Sequence, residues 1–431
     1  MRLLGGKDRP VKRKTVLVTN ATTGAGLAAV KSLAAAGYRV ITADFEGSWR
    51  GLRSRYSSAH YGLRAANQQE FERSLLDLVD RVRPDAFLPL GKCSVFIASK
   101  NRDRIAAVTA VNVPPLEAFL AAYNKRVCMA ECRQLGIPCP ILYSLEQASD
   151  VLKEERDSVL VVKPDCDVGA AMGVRYVRNR EQLCAALREC ETRFAGAVIE
   201  EYIPGGVEAM KSVVLLFSPQ SRLIAAFTTR KIQQWPETGG LTAVGRSTAD
   251  EHLVKLVLPF FEKWRWCGGA EVELKCDSRN GQDKVIEINP RFPGCLRFPL
   301  ECGLGLAVMA VNPALDGQAV PDATFLNWPT LPSYTTGAKY HNPGLVLRVF
   351  LSKLRSGELR KAGFREGLRE LLGAAAITPG LLRDPMPFLG RVLARRPIAP
   401  DMPPLFPITA RNPDAALGRK GGDLESTEKP L

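Results

Sequence analysis

DKVIEINPRFPGCLRFP, residues Asp283 to Pro299, is the stretch around which the chain is organised. Its first part, Lys284 to Asn289, reads as a strand of period-two character, so Glu287 and Asn289 are expected on one face. Upstream, Gly269-Ala270-Glu271-Val272-Glu273-Leu274 reads as a second strand with a pair of carboxylates on one face. The polar run Ser278-Arg279-Asn280-Gly281 is suited to turn one strand back on the other, giving a hairpin. Glu273, Glu287 and Asn289 then converge across neighbouring strands. Carboxylates that close repel unless protons or cations share the space. A hard divalent ion accepts such oxygens, and Mg²⁺ is usually held by one or two carboxylates with phosphate oxygens completing its shell. Arg291 falls on the same side if the strand continues. The same alternation also describes a hairpin with its charged face in water, and pattern alone leaves both readings open.

Ile286-Glu287-Ile288-Asn289-Pro290-Arg291, with Glu273 on the preceding strand, resembles the metal-binding strands of the ATP-grasp superfamily, in its carbamoyl-phosphate synthetase and biotin carboxylase-like form. The resemblance implies that Glu273, Glu287 and Asn289 hold Mg²⁺ or Mn²⁺ and that Arg291 stabilises the phosphoryl group in transfer. It extends over about residues 120–310. Asn124-Lys125-Arg126 opens a helix that ends at Leu135-Gly136-Ile137-Pro138, and the resemblance makes Lys125 a phosphate ligand. Ser158 to Pro164 is a buried strand ending in Lys163-Pro164. A lysine leaving such a strand keeps its stem buried and its ammonium needs an anion, and the resemblance gives Lys163 the α- and β-phosphates of ATP. The loop from Asp165 to Val174, with Gly169 and Gly173, is suited to offer backbone N–H groups to phosphate. It has fewer glycines than the richest family members. Ala197 to Ile203 reads as a strand, from which the resemblance draws Glu200, Glu201 and Ile203 to the adenine and Glu208, past the turn, to the ribose. Arg230 and Lys231, at a basic strand end before the Gly239-Gly240 loop, face the γ-phosphate or a substrate carboxylate by similarity to carboxylate–amine ligases.

The N-terminal part has its own pattern. Lys14 to Asn20 is a buried strand, Ala21 to Gly26 a small-residue loop, Leu27 to Ala36 a helix, and Tyr38 to Asp44 a second strand. A helix over 69–82 and a strand at Asp85 to Leu90 repeat the unit. Asp44 and the Gly24/Gly26 loop imitate the ribose-binding acid and glycine fingerprint of a nicotinamide-binding fold, so a dehydrogenase is a competing reading. ATP-grasp enzymes open with a domain of this type, and the resemblance accounts for it without a nicotinamide.

The fold expected is α/β, becoming α+β in the ATP-binding part. A basic N-terminal tail (1–13) leads into a Rossmann-like domain (14–122) and a two-lobed ATP-grasp domain (123–325). A helical, Pro-rich extension (326–412) and a polar tail (413–431) follow. The 431 residues are 46% apolar and 24% charged, ordinary for a globular chain. Eleven cysteines form no Cys-x-x-Cys pair and three histidines stand far apart, which argues against a disulfide framework and a zinc site. No apolar run approaches a membrane span and no signal peptide opens the chain, so a cytoplasmic location is expected. Half of the net charge of +14 lies in residues 345–396, where eleven Lys or Arg meet four Asp or Glu. Leu345 to Leu372 is expected to form amphipathic helices covering another face of the protein, with the membrane surface a lesser alternative.

The function expected is an ADP-forming carboxylate–amine ligase acting through an acyl phosphate on a small carboxylate and a small amine, with no nucleic acid and with a homodimer as one allowed state. The competing readings are a carboxylase or carbamoyl-phosphate-forming relative, or the dehydrogenase.

Overall fold

A computed structural model of the chain describes residues 13–45, 54–64, 66–154, 157–166, 172–194, 196–236, 239–316, 331–357 and 364–376. Gly169, Thr238, both tails and the Pro-rich part of the C-terminal extension lie outside them.

Strands β1 (Thr15–Thr19) and β2 (Arg39–Phe45) flank helix α1 (Gly24–Ala35). β3 (Ala59–Leu63), α2 (Gln68–Val82), β4 (Ala86–Leu88), α3 (Lys92–Lys100), α4 (Arg102–Ala106) and β5 (Ala110–Val111) complete a parallel sheet of order β3-β2-β1-β4-β5. Val16, Leu17 and Val18 are wholly buried, as expected of a parallel strand covered on both faces. Gly26 is required here, because a Cβ would stand 2.1 Å from the Asn20 carbonyl oxygen.

Helices α5 (Leu116–Tyr123) and α6 (Lys125–Gln134) lead to a four-stranded sheet of order β6-β9-β7-β8, from β6 (Leu142–Tyr143), β7 (Leu160–Pro164), β8 (Arg175–Val177) and β9 (Ala197–Glu201). α7 (Leu145–Glu154) and α8 (Arg180–Phe194) belong to this lobe, and Leu183, Ala186, Cys190 and Phe194 of α8 fill its core.

The second lobe is a six-stranded antiparallel sheet of order β14-β13-β10-β11-β12-β15. Its strands are β10 (Met210–Phe217), β11 (Leu223–Trp235), β12 (Leu241–Thr248), β13 (Gly268–Cys276), β14 (Asp283–Asn289) and β15 (Lys339–His341). β15 lies beyond residue 325, so the sheet takes its last strand from the segment expected to be helical. On β13 the alternation is strict: Ala270, Val272 and Leu274 are wholly buried, while Glu271, Glu273 and Lys275 are not. The buried set packs with Val213, Leu215 and Phe217 of β10 against α6 and against Leu253, Val257 and Phe261 of α9 (Glu251–Lys263). On the sheet's other side, Val214, Leu216 and Phe227 join α10 (Arg297–Glu301) and α11 (Leu306–Asp316) in one core with Val30 and Leu33 of α1. This shared core ties the N-terminal sheet to the second lobe. α12 (Pro343–Arg355) and α13 (Phe364–Ala376) close the described chain. All eleven cysteines are free thiols.

Candidate active site

The hairpin forms, and its register brings the acids together: Glu273 is opposite Glu287 and Glu271 opposite Asn289. Cross-strand partners on one face stand about 5 Å apart at Cβ. Strict period two does not hold along β14, because Val285 and Ile286 are consecutive apolar residues. The register slips there, with Leu274 opposite Val285 and Glu273 opposite Glu287, so Ile286 is the extra residue of a bulge. The bulge resets the phase and turns Glu287 to the same side as Glu273.

Each acid has a cation waiting beside it. Lys125 Nζ is 2.7 Å from Glu287 Oε1, and Lys231 Nζ is 3.1 Å from Glu273 Oε2. Both lysines are buried, at 8% and 5% exposure, so their charge is not diluted by water. Burial alone would lower the Lys231 ammonium's pKa, but Glu273 outweighs it and the net shift is upward. Glu271 lies deeper. Burial raises its carboxyl to about 7, with Glu273 adding to the rise and Arg291 opposing it, while Ser212 Oγ donates to Oε1 at 3.0 Å. Asn289, 4% exposed, directs Nδ2 at Glu271 Oε2 over 3.5 Å, leaving Oδ1 as its acceptor.

Lys125 is positioned locally. Asn124 caps α6 by accepting from the Val127 N–H at 3.1 Å and bridges to Cys166, while the Lys125 N–H donates to the Asp165 carbonyl at 2.6 Å. The head of α6 is thereby sewn to the end of β7, where Lys163 emerges. Lys163 Nζ pairs with Glu200 Oε2 at 2.6 Å; the Glu200 side chain is 1% exposed and its Oε1 has no hydrogen-bond partner among the described residues. Across the cleft, Lys275 continues the Glu271–Glu273 row. Its ammonium is lowered by burial and by the charge of Lys163, and it lies 5.2 Å from the centre of the Tyr202 ring. Gly173 adopts φ +77°, and a Cβ there would press on Phe194 and Pro164, so Gly173 sits tightly between the end of β7 and α8. Ile203 is buried between the lobes' strands, at 4% exposure.

Two sequence expectations, for Arg230 and Asp44, are corrected, and the Glu201 side chain has a structural role. The Glu201 carboxylate is committed to Lys284, at 3.1 Å, and to Arg279, which also grip Asp277. It fastens the hairpin turn to β9, so the adenine-side role expected of Glu201 falls to its backbone. Arg230 and Lys231, as successive strand residues, project to opposite faces. Lys231 enters the carboxylate cluster and donates to the Gly240 carbonyl at 3.1 Å, whereas Arg230 is 3.9 Å from the exposed Glu208 and away from that cluster. Asp44 is 4% exposed, and its Oδ1 accepts from Thr22 Oγ1 at 3.0 Å and from the Thr22 N–H at 3.4 Å. It anchors the β1–α1 loop rather than projecting toward a ribose, which removes the main support for the dehydrogenase. Glu271 and Ser212 were not among the candidate residues. The Glu271–Glu273 alternation was the available signal for the first, and only the register of β10 with β13, where Ser212 faces Glu273, reveals the second.

Among the described residues no three His, Cys, Asp or Glu side chains are grouped to enclose a metal ion. Two glutamates and an asparagine on one face nonetheless fit Mg²⁺, which takes few protein ligands and leaves positions for phosphate oxygens.

A family model of the ATP-grasp domain matches residues 122–295. No curated protein sequence matches the chain. Among solved structures, the biotin carboxylase of Campylobacter jejuni in its βγ-ATP complex superposes with a TM-score of 0.60 at 16% identity, covering 76% of this chain and 74% of that one. The biotin carboxylase domain of the Hydrogenobacter thermophilus 2-oxoglutarate carboxylase, solved with MgADP and bicarbonate, gives 0.58 at 16% identity over 72% and 70%. The L-amino acid ligase of Bacillus licheniformis gives 0.53 at 17% identity over 71% and 75%. At these identities the likeness is one of fold. Residues 122–295 of this chain match the ATP-grasp domain, and the solved structures share its fold.

Proposed function

We propose that the protein is an ATP-dependent, ADP-forming ligase that joins a small carboxylate to a small amine through an acyl phosphate. The observation that carries this reading is the cross-strand pair Glu273 and Glu287, each already matched by a buried lysine. A cleft with alternating acids and ammonium groups suits a ligand with both phosphate anions and a metal cation. Glu273, Glu287 and Asn289 would hold Mg²⁺ or Mn²⁺, whose charge would shield the phosphates. Lys125 and Lys163 reach the phosphates from α6 and β7, with the backbone around Gly173 beside them. Glu200, Glu201 and Ile203 are assigned to the base, with Glu200 Oε1 a buried acceptor, and Glu208 to a ribose hydroxyl. Lys231 is assigned to the γ-phosphate or the substrate carboxylate, and Arg291 to the charge that develops during transfer.

In the first step a carboxylate oxygen of the acid attacks the γ-phosphorus and the bond to the β-phosphate bridging oxygen breaks, releasing ADP. In the second, the amine attacks the acyl carbon, phosphate departs and the nitrogen loses a proton. Both steps need positioned charge more than a protein nucleophile, and no serine, cysteine or histidine is given that role. The fold shared with the biotin carboxylases supports a carboxylase as the second reading, in which bicarbonate is the acid.

The test is ADP release from Mg-ATP with pools of carboxylates and amines, followed by mass spectrometry of the product. Release is expected only with both pools, and Glu273→Gln or Glu287→Gln should lower it on the order of 10²-fold or more. Release with bicarbonate alone would favour the carboxylase, and wild-type rates in both variants would refute the assigned site.

A further inference from the structure

We propose that the outward faces of α12 and α13 dock on an anionic lipid surface. α12 uses one face to hold the fold together, Val346 and Val349 packing on Ala243 and Val244 of β12. A helix on a protein surface needs only that one apolar face. α12 carries a second: Leu347, Leu351 and Leu354 are 48%, 39% and 51% exposed. At about 100° per residue these three leucines fall within an arc of about 60°. Arg348 and Arg355, both exposed, lie about 80–100° to one side of Leu347 on the same projection.

α13 repeats the arrangement. Leu368 and Leu372 are 42% and 62% exposed, one turn apart. Arg365 and Arg369, also exposed, fall about 60–100° to one side of Leu368. The helix is pinned with this face outward, because Glu370 turns inward to His341 Nε2 at 2.5 Å and Lys339 Nζ at 2.7 Å. Gly373 abuts the His341 ring, where a Cβ would stand 2.9 Å away.

Among the described side chains of the two helices, those charged and exposed beside the leucines, Arg348, Arg355, Arg365 and Arg369, are basic, and Glu370 is buried. Leucines that enter the acyl boundary, flanked by arginines at headgroup level, are the pattern of an interfacial helix. That sign fixes the occupant. A second copy of the same face would bring arginine against arginine, whereas anionic headgroups neutralise them.

The test is co-sedimentation of the full chain with vesicles of phosphatidylcholine alone and of phosphatidylcholine with phosphatidylserine. Binding is expected only with phosphatidylserine and should fall as salt is raised. Arg348→Glu with Arg355→Glu should lower the partition coefficient by at least roughly fivefold per residue, and Leu351→Asp with Leu354→Asp should abolish binding. Circular dichroism of both variants should match the parent, since all four side chains are exposed. Absence of phosphatidylserine-dependent binding, binding untouched by either double variant, or a dimer in sedimentation that the leucine variant dissolves without any vesicle binding would each overturn the proposal.

Discussion

Replacing Asp44 by Asn isolates one buried carboxyl whose energetics follow from its surroundings. In water such a group titrates near 3.8; here burial raises it to about 7, against the opposing hydrogen bonds from Thr22. Its Oδ2 is buried without a hydrogen-bond partner among the described residues. The folded protein therefore binds this proton more tightly than the unfolded chain does. The contribution of Asp44 to stability is greatest below its unfolded pKa, declines as pH rises through the interval between the two values, and is constant above about 7. At about 1.4 kcal/mol per pH unit the full decline is about 4 kcal/mol. Asparagine has the same shape, keeps an oxygen for Thr22 and does not titrate. The stability of Asp44→Asn relative to wild type should thus rise by about 4 kcal/mol between about pH 4 and pH 8. Urea unfolding followed by circular dichroism measures that difference, and hydrogen exchange at Val16–Val18 and Val40–Ala43 localises it to β1 and β2. A difference that stays constant over this range would refute the argument. ATP-dependent turnover should survive the change, because Asp44 stands outside the cleft assigned to the nucleotide.

Lys163→Met strands the Glu200 carboxylate in a buried site and should cost about 3–5 kcal/mol. Adding Glu200→Gln should restore most of that stability in thermal unfolding while ATP binding, read by calorimetry, stays lost. Gly26→Ala sets a Cβ 2.1 Å from a backbone oxygen that cannot move aside, and a loss of at least about 1–3 kcal/mol is expected in the same unfolding assay. Glu273→Gln and Glu287→Gln each leave a buried lysine without its counter-charge, so the melting temperature should fall together with ADP release, which should drop on the order of 10²-fold or more.

The parts of the molecule legible in the sequence are those governed by local chemistry. The hairpin announced itself through Glu271-Val272-Glu273 and the polar turn at Ser278–Gly281, and Lys163 through its place at the end of an apolar run before a proline. Lys125 was found by its position at a capped helix start. What failed depended on residues distant in sequence. The ion pairs of the Glu201 side chain with Arg279 and Lys284, some eighty positions later, have no local signature. Asp44 imitates a ribose-binding acid in the sequence, and the Thr22 contacts that occupy it are set by a loop conformation, not by a pattern. Arg230 was coupled with Lys231 by adjacency, although neighbours on an extended strand part company. The last strand of the large sheet, Lys339–His341, pairs with Val244–Arg246 almost a hundred residues away, and three residues carry too little periodicity to declare a strand.

The extra residue at Ile286 has a bearing on how this chain tolerates changes in length. As the residue without a partner across the ladder, it can be deleted with β14 straightened and Glu287 still opposite Glu273, and adding residues at the Asn280–Gly281 tip likewise leaves the register behind it untouched. Homologous chains should therefore drift in size at the loop and at the bulge while holding Glu287 two residues before Asn289, so that a length change between those two positions separates chains that keep the chemistry from those that retain only the shape.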